Sequence, residues 1–201
     1  LAVRRGAFTT VEMLLDHGAD VATRCSDGVG AVLLACTYHG RENVLAALLR
    51  HGASINEADV DGQTPLMAAA FFGHEALLDT LCSKSVDINA QRLDGSTALH
   101  IACARRDEET FNDEAIVQAL LQHNAELELE RKDGCTALML ACAHGEEAVV
   151  HQLLGRGART DRVNCSGFTA LHLGAMHGQL GVVKALIEYG MSAAASHTQL
   201  P

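Results

Sequence analysis

"TPLMAAAFFG", residues 64–73, decides how this chain folds, because the same phrase returns along it. "AVLLACTYHG" (31–40), "TALHIACARR" (97–106), "TALMLACAHG" (136–145) and "TALHLGAMHG" (169–178) line up with it, their starts 33, 33, 39 and 33 residues apart. Between these phrases runs a second series: "LLDHGADV" (14–21), "LLRHGASI" (48–55), "LCSKSVDI" (81–88), "LLQHNAEL" (120–127) and "LLGRGART" (153–160). A fixed period of this length marks a chain built from one repeated supersecondary unit.

Each phrase reads as a short helix. Thr64, Thr97, Thr136 and Thr169 precede the apolar run, where a hydroxyl accepts from a first-turn amide, and Pro65 suits the first helical position. Leu66, Leu99, Leu138 and Leu171 then share one face, with Ala or Cys a turn later, small enough for successive units to approach closely. Gly40, Gly73, Gly145 and Gly178 are expected to end this first helix, and Gly18, Gly52, Asn124, Gly157 and Gly190 the second. The stretches between, such as "NEADVDGQ" (56–63) and "NAQRLDGS" (89–96), carry Asp-Gly turn signals and predict a projecting, hairpin-like tip.

The 201-residue chain has apolar content enough for a real core, and no run approaches the ~18 apolar residues of a membrane span. Its first residues, "LAVRRGAFTT", lack the apolar stretch of a signal peptide. The formal charge of -10, with Lys and Arg scattered, argues against a nucleic-acid partner. Seven cysteines, with no C-x-x-C pair, argue against a disulfide framework or zinc site and for a reducing compartment, cytoplasm or nucleus.

The unit resembles the ankyrin repeat, a pattern of about 33 residues with T-P-L-H-x-A, matched by "TPLMAA", "TALHIA" and "TALHLG". The resemblance implies an all-α solenoid of stacked helix-turn-helix units with projecting hairpin-like tips. Its concave face would be built from first helices and tips. The units are expected at 1–26 (truncated), 27–60, 61–93, 94–132, 133–165 and 166–193, with a tail or linker at 194–201. Leu1 aligns with Ala35, so the chain reads as a fragment of a longer protein. The 27–60 unit carries one extra residue near "DGVGA" and Ala31 in the capping slot, a loss of about 1 kcal/mol, and its tip is expected to be the least regular. The 39-residue spacing comes from six residues around "RDEETFND" (106–113), read as a solvated loop on the side opposite the tips, with a docking site as the alternative.

Eleven histidines invite a metal or catalytic hypothesis, but most occupy repeat slots. His100 and His172 stand in the T-P-L-H slot, where the resemblance implies a structural hydrogen bond. Cys36, Cys103 and Cys142 fill small-residue slots of first helices and read as packed thiols, whereas Cys25, Cys135 and Cys165 near the tips are expected to be exposed. "NCSGF" (164–168) lacks a placed base, and "GVG" (28–30) lacks the remaining features of a phosphate loop. Neither a catalytic site nor a cofactor is expected.

The variable slots carry the functional reading. The two residues before the first-helix glycine include Arg5, Tyr38, His39, Phe71, Phe72, Arg105, His144, Met176 and His177, and Phe168 stands just before a capping Thr. In the repeat frame these slots border the concave groove, although Phe72 or Tyr38 has the alternative of packing on the next unit. Aromatic and Arg side chains there are hot-spot types, each worth roughly 2–4 kcal/mol when a partner buries it. With acidic tips around an apolar groove, the expected partner is a protein or peptide with apolar anchors and some basic residues, bound by a single copy. Two alternatives stand beside this reading. One is a regulatory or targeting domain of a larger enzyme, ubiquitin-ligase receptor or channel; the other is a substrate of asparagine hydroxylation at Asn56 or Asn89, the loop asparagines of the resemblance.

Overall fold

The computed structural model describes residues 1–104 and 113–197, the side chains of 192–197 excepted. First helices are α1 (Ala2–Arg5), α3 (Ala31–Cys36), α5 (Pro65–Phe71), α7 (Ala98–Cys103), α9 (Ala137–His144) and α11 (Ala170–Met176). Second helices are α2 (Phe8–Asp16), α4 (Glu42–Arg50), α6 (Glu75–Cys82), α8 (Asp113–Gln122), α10 (Glu147–Gly155) and α12 (Leu180–His197). Each first helix packs on the first helix of the next unit and each second helix on the next second helix, giving two layers that run the length of a solenoid. No β-strand occurs among the described residues.

Repetition of the core follows from repetition of the pattern. Second helices bury the same positions in every internal unit: Val44, Leu45 and Leu48; Leu77, Leu78 and Leu81; Ile116, Val117 and Leu120; Val149, Val150 and Leu153. This i, i+1, i+4 spacing is the apolar stripe of one helix face. First helices are buried nearly all round, and Pro65 through Ala70 are all buried in α5. The expected Thr caps are present, with Met67, His100, Met139 and His172 each donating a backbone N–H to the Thr hydroxyl three residues earlier, at 3.3–3.4 Å. Ends of the stack are less covered: Leu138 is 1% exposed, whereas its equivalent Leu171 in the last unit is 40% exposed.

Three expectations need correction. The capping slot of α3 is Gly30, not Ala31, and the extra residue of that unit falls after the helix, in the Thr37–Gly40 turn rather than near "DGVGA". Counted from the cap, Val32, Ala35 and Cys36 then match Leu66, Ala69 and Ala70, all buried. The missing hydroxyl is replaced by the Glu57 carboxylate from the far end of the same unit, whose Oε1 accepts from Val32 N (2.9 Å) and Leu33 N (3.1 Å). Glu57 is only 7% exposed. A Cβ at position 30 would collide with that carboxylate, so glycine there is what admits the substitute cap.

The other two corrections are shorter. Gly190 does not end its helix, since α12 continues through it and across the expected 193/194 boundary to His197. "SAAAS" (192–196) is rich in alanine, the strongest helix former. Cys135 is buried, because Asn164 at the next tip lies over its sulfur. The tip of the 27–60 unit keeps the closing bond of the others, from Cys25 N to Val29 O, and is the least regular as expected, since its link to the next tip, from Val60 N to Asp27 O, is 3.4 Å where the others are 2.9 Å. The 106–112 part of the insertion and Arg105 lie outside the described residues.

Candidate protein-binding surface

The tips are held by their own Asp and Asn side chains. Asp59 Oδ1 accepts from the backbone N–H of Asp61 and Gln63, Asp94 Oδ1 from Ser96, Asp133 Oδ1 from Cys135, and Asn164 Oδ1 from Ser166 and Phe168. Successive tips are then joined by backbone bonds from Leu93 N to Asp61 O, Lys132 N to Asp94 O and Cys165 N to Asp133 O, each 2.9 Å. Gly134 shows why the turn demands glycine: its φ is +76°, and a Cβ there would sit 2.7 Å from Cys165 N. The tips thus form one hydrogen-bonded edge with little freedom left to lose.

Lower in each unit, side chains at the first-helix ends divide into inward and outward members. Phe72 is half-buried and stacks on the buried His74 ring at 5.8 Å, while Phe71 meets Phe72 edge-on at 5.0 Å and is 52% exposed. His74 continues into the preceding unit, where its Nδ1 lies 3.0 Å from Nδ1 of the exposed His39. Half-buried Tyr38 receives a hydrogen bond from Arg4 Nε (3.0 Å) and has the Arg41 guanidinium 5.9 Å from its ring centre. The adjacent phenylalanines therefore do different jobs: one braces, the other projects.

Sequence-predicted residues thus fall into separate groups. Phe71, Phe72 and His39 come together around His74, Tyr38 adjoins His39 in the chain, and Arg5 is exposed in α1. In the last unit Phe168 is exposed with its ring 6.2 Å from His172, and Met176 and His177 are exposed at the end of α11, Met176 by 60%. His144 is half-buried in α9. Asn56 and Asn89 clamp adjacent units: Asp87 N donates to Asn56 Oδ1 and Glu126 N to Asn89 Oδ1, while their amide nitrogens donate to Ser85 O and Glu126 Oε1. Sequence reasoning missed His74, Arg41 and Glu57. The first two share the slot just after the first-helix glycine, which was readable as variable; Glu57 serves a helix 25 residues earlier in the chain and left no local signal.

The histidine and cysteine chemistry is structural. His100 Nδ1 accepts from Thr97 N (3.2 Å), which leaves its proton on Nε2, directed at Cys135 O of the next unit (3.2 Å). Burial lowers the pKa of His100 and keeps the ring neutral. Burial pushes the thiols of Cys36 and Cys142 up to about 12 and raises that of Cys103 as well, so these sulfurs stay protonated. Among the described residues no three His, Cys, Asp or Glu side chains are grouped to hold a metal ion.

The family profile for ankyrin repeats (3 copies) matches residues 1–92, 57–112, 84–161 and 110–196. The chain belongs to the ankyrin repeat family. Ankyrin repeats are in general protein-interaction modules and typically non-catalytic. Residues of this ankyrin chain are also 36% identical over 66 positions to the E3 ubiquitin-protein ligase KEG of Arabidopsis thaliana, covering 32% of this chain and 4% of that protein. No described helix is long and apolar enough to cross a membrane.

Proposed function

We propose that this ankyrin domain recognises a protein or peptide along the face formed by its first-helix ends and the inner edges of its tips. Arg5, Tyr38, His39, Phe71, Phe72, Arg105, His144, Phe168, Met176 and His177 supply the contacts. One observation carries this reading: Phe71 presents half of a bulky apolar ring to solvent while Phe72 and His74 hold it in place. A partner burying that ring gains apolar contact without first ordering the side chain, since the tips and helix ends are already fixed. Acidic tip residues, among them Asp27, Asp61 and Asp133, favour basic residues in the part of the partner that lies along the tips.

A second reading has the likeness to the ubiquitin ligase behind it: the domain selects the target of a larger protein. It uses the same surface. Affinity capture with the wild-type chain beside a Phe71→Ala/Met176→Ala variant tests both. Proteins retained by the wild type and lost by a variant of unchanged thermal stability are the expected outcome. Equal capture by the two chains would refute the assignment of this face.

A further inference from the structure

Within a chain of net charge -10, the first two units gather arginines at one place. Arg4 and Arg41 flank Tyr38, one on its hydroxyl and the other over its ring, and Arg5 follows in α1. The Arg41 guanidinium lies so close to Gly6 that any side chain there would strike it, which fixes its position between units. No carboxylate among the described residues comes within the 4.0 Å ion-pair distance of Arg4, Arg5 or Arg41. Glu42, next to Arg41 in the chain, and Glu12, the first acid after Arg5, do not pair with these guanidinium groups, and Glu12 is taken by Arg50. Arg41 Nε is shut off from solvent without a hydrogen-bond acceptor. Among the other described arginines, Arg24, Arg50, Arg131, Arg159 and Arg162 each have an acidic neighbour, whereas Arg92 and Arg156 have none among the described residues and Arg156 donates to the Leu121 carbonyl.

We propose that this arginine–aromatic cluster receives an acidic side chain of the bound peptide, an Asp or Glu placed beside the apolar residue that covers Phe71. The proposal rests on the protein-binding reading above and gives it a direction: the acidic end of the ligand lies over the first three units, and its basic residues lie along the tips. Charge complementarity carries it. A carboxylate takes parallel hydrogen bonds from a guanidinium fork, which lysine could not offer in the same geometry. Exposed ion pairs alone discriminate weakly, so the aromatic wall of Tyr38, His39 and Phe71 is what makes the contact selective, by excluding water from it once the apolar anchor docks.

Selection from a random peptide library displayed on phage, using the immobilised full chain, tests the inference. Wild type is expected to enrich Asp or Glu next to a bulky apolar residue, and Arg4→Gln/Arg41→Gln to keep the apolar residue while losing the acidic preference. The enriched peptide, fluorescein-labelled, should bind the double variant about fivefold or more weakly by anisotropy, and should bind wild type more weakly as salt rises. Arg5→Gln, at an exposed position, serves if the double variant melts early, and should weaken binding in the same direction. Basic or uncharged neighbours in the wild-type selection, or salt-independent binding, would overturn the arginine assignment while leaving the protein-binding reading intact. Peptides whose binding Phe71→Ala does not weaken would overturn both.

Discussion

Removing the buried Glu57 should destabilise the fold by far more than the loss of one ion pair. Its Oε1 accepts from two buried amides at the start of α3, at 2.9 and 3.1 Å, in the one internal unit whose capping slot holds glycine. Hydrogen bonds to a charged group contribute ~1.5 kcal/mol or more each, and two buried donors left alone cost at least that, so Glu57→Ala should destabilise by about 3 kcal/mol. Its contact with Arg24, 3.9 Å away and with Arg24 substantially exposed, adds well under ~1 kcal/mol. The decisive variant is Gly30→Ser. Gly30 has φ -91° and ψ 175°, the backbone of the Thr caps, so serine fits there once the carboxylate is gone. Alone, Gly30→Ser displaces Glu57 and should cost about 1–3 kcal/mol. Combined with Glu57→Ala it can cap Leu33 N as Thr64 caps Met67, recovering roughly 1–2 kcal/mol. Urea denaturation of all four chains gives the cycle. A Glu57→Ala loss under ~0.5 kcal/mol, or losses that simply add in the double variant, would refute the substitute-cap argument.

Other perturbations follow from the stacking. Leu138→Ala, at a fully buried central position, should cost roughly 2–5 kcal/mol and Leu171→Ala, in the open last unit, well under half of that, both read from urea curves. Gly134→Ala forces a side chain into a left-handed turn and against the next tip, whereas Gly167→Ala, with φ +78° and open space around it, meets only the conformational strain; the first should lower Tm by clearly more. Because burial lowers the pKa of His100, the unfolded chain takes up a proton near pH ~6.5 that the folded chain refuses, and stability is lost as pH falls through that range. The drop in Tm between neutral and mildly acidic buffer should therefore be smaller in His100→Gln than in wild type.

Much of the fold was legible because its determinants sit within one period. The Thr hydroxyls bond amides three residues on, and the buried stripe of each second helix spans two turns, so both write themselves into local spacing. The His100 slot was legible through resemblance, and its partner in the next unit only through the structure. What escaped depends on neighbours about one period away. Cys135 occupies a tip slot yet is covered by Asn164 of the next tip, and Glu57 caps a helix at the opposite end of its own unit. Aligning the 27–60 unit on Gly40 placed its extra residue on the wrong side of α3, since glycine marks where a helix turns and not where it starts. At the surface, the pair Phe71–Phe72 was singled out by its slot, but the roles of the two rings are set by His74 and His39, whose contact crosses a unit boundary.

Site-specific photocrosslinking tests most directly where this domain meets its partner. The full chain carrying Phe71→benzoylphenylalanine at the first-helix end, and separately the same replacement at the exposed Ala46 of the second-helix layer, would be irradiated in cells and the adducts sized. The account predicts a discrete partner adduct from position 71 and none from position 46. Adducts formed from position 46 alone would contradict it and move recognition to the opposite face of the solenoid.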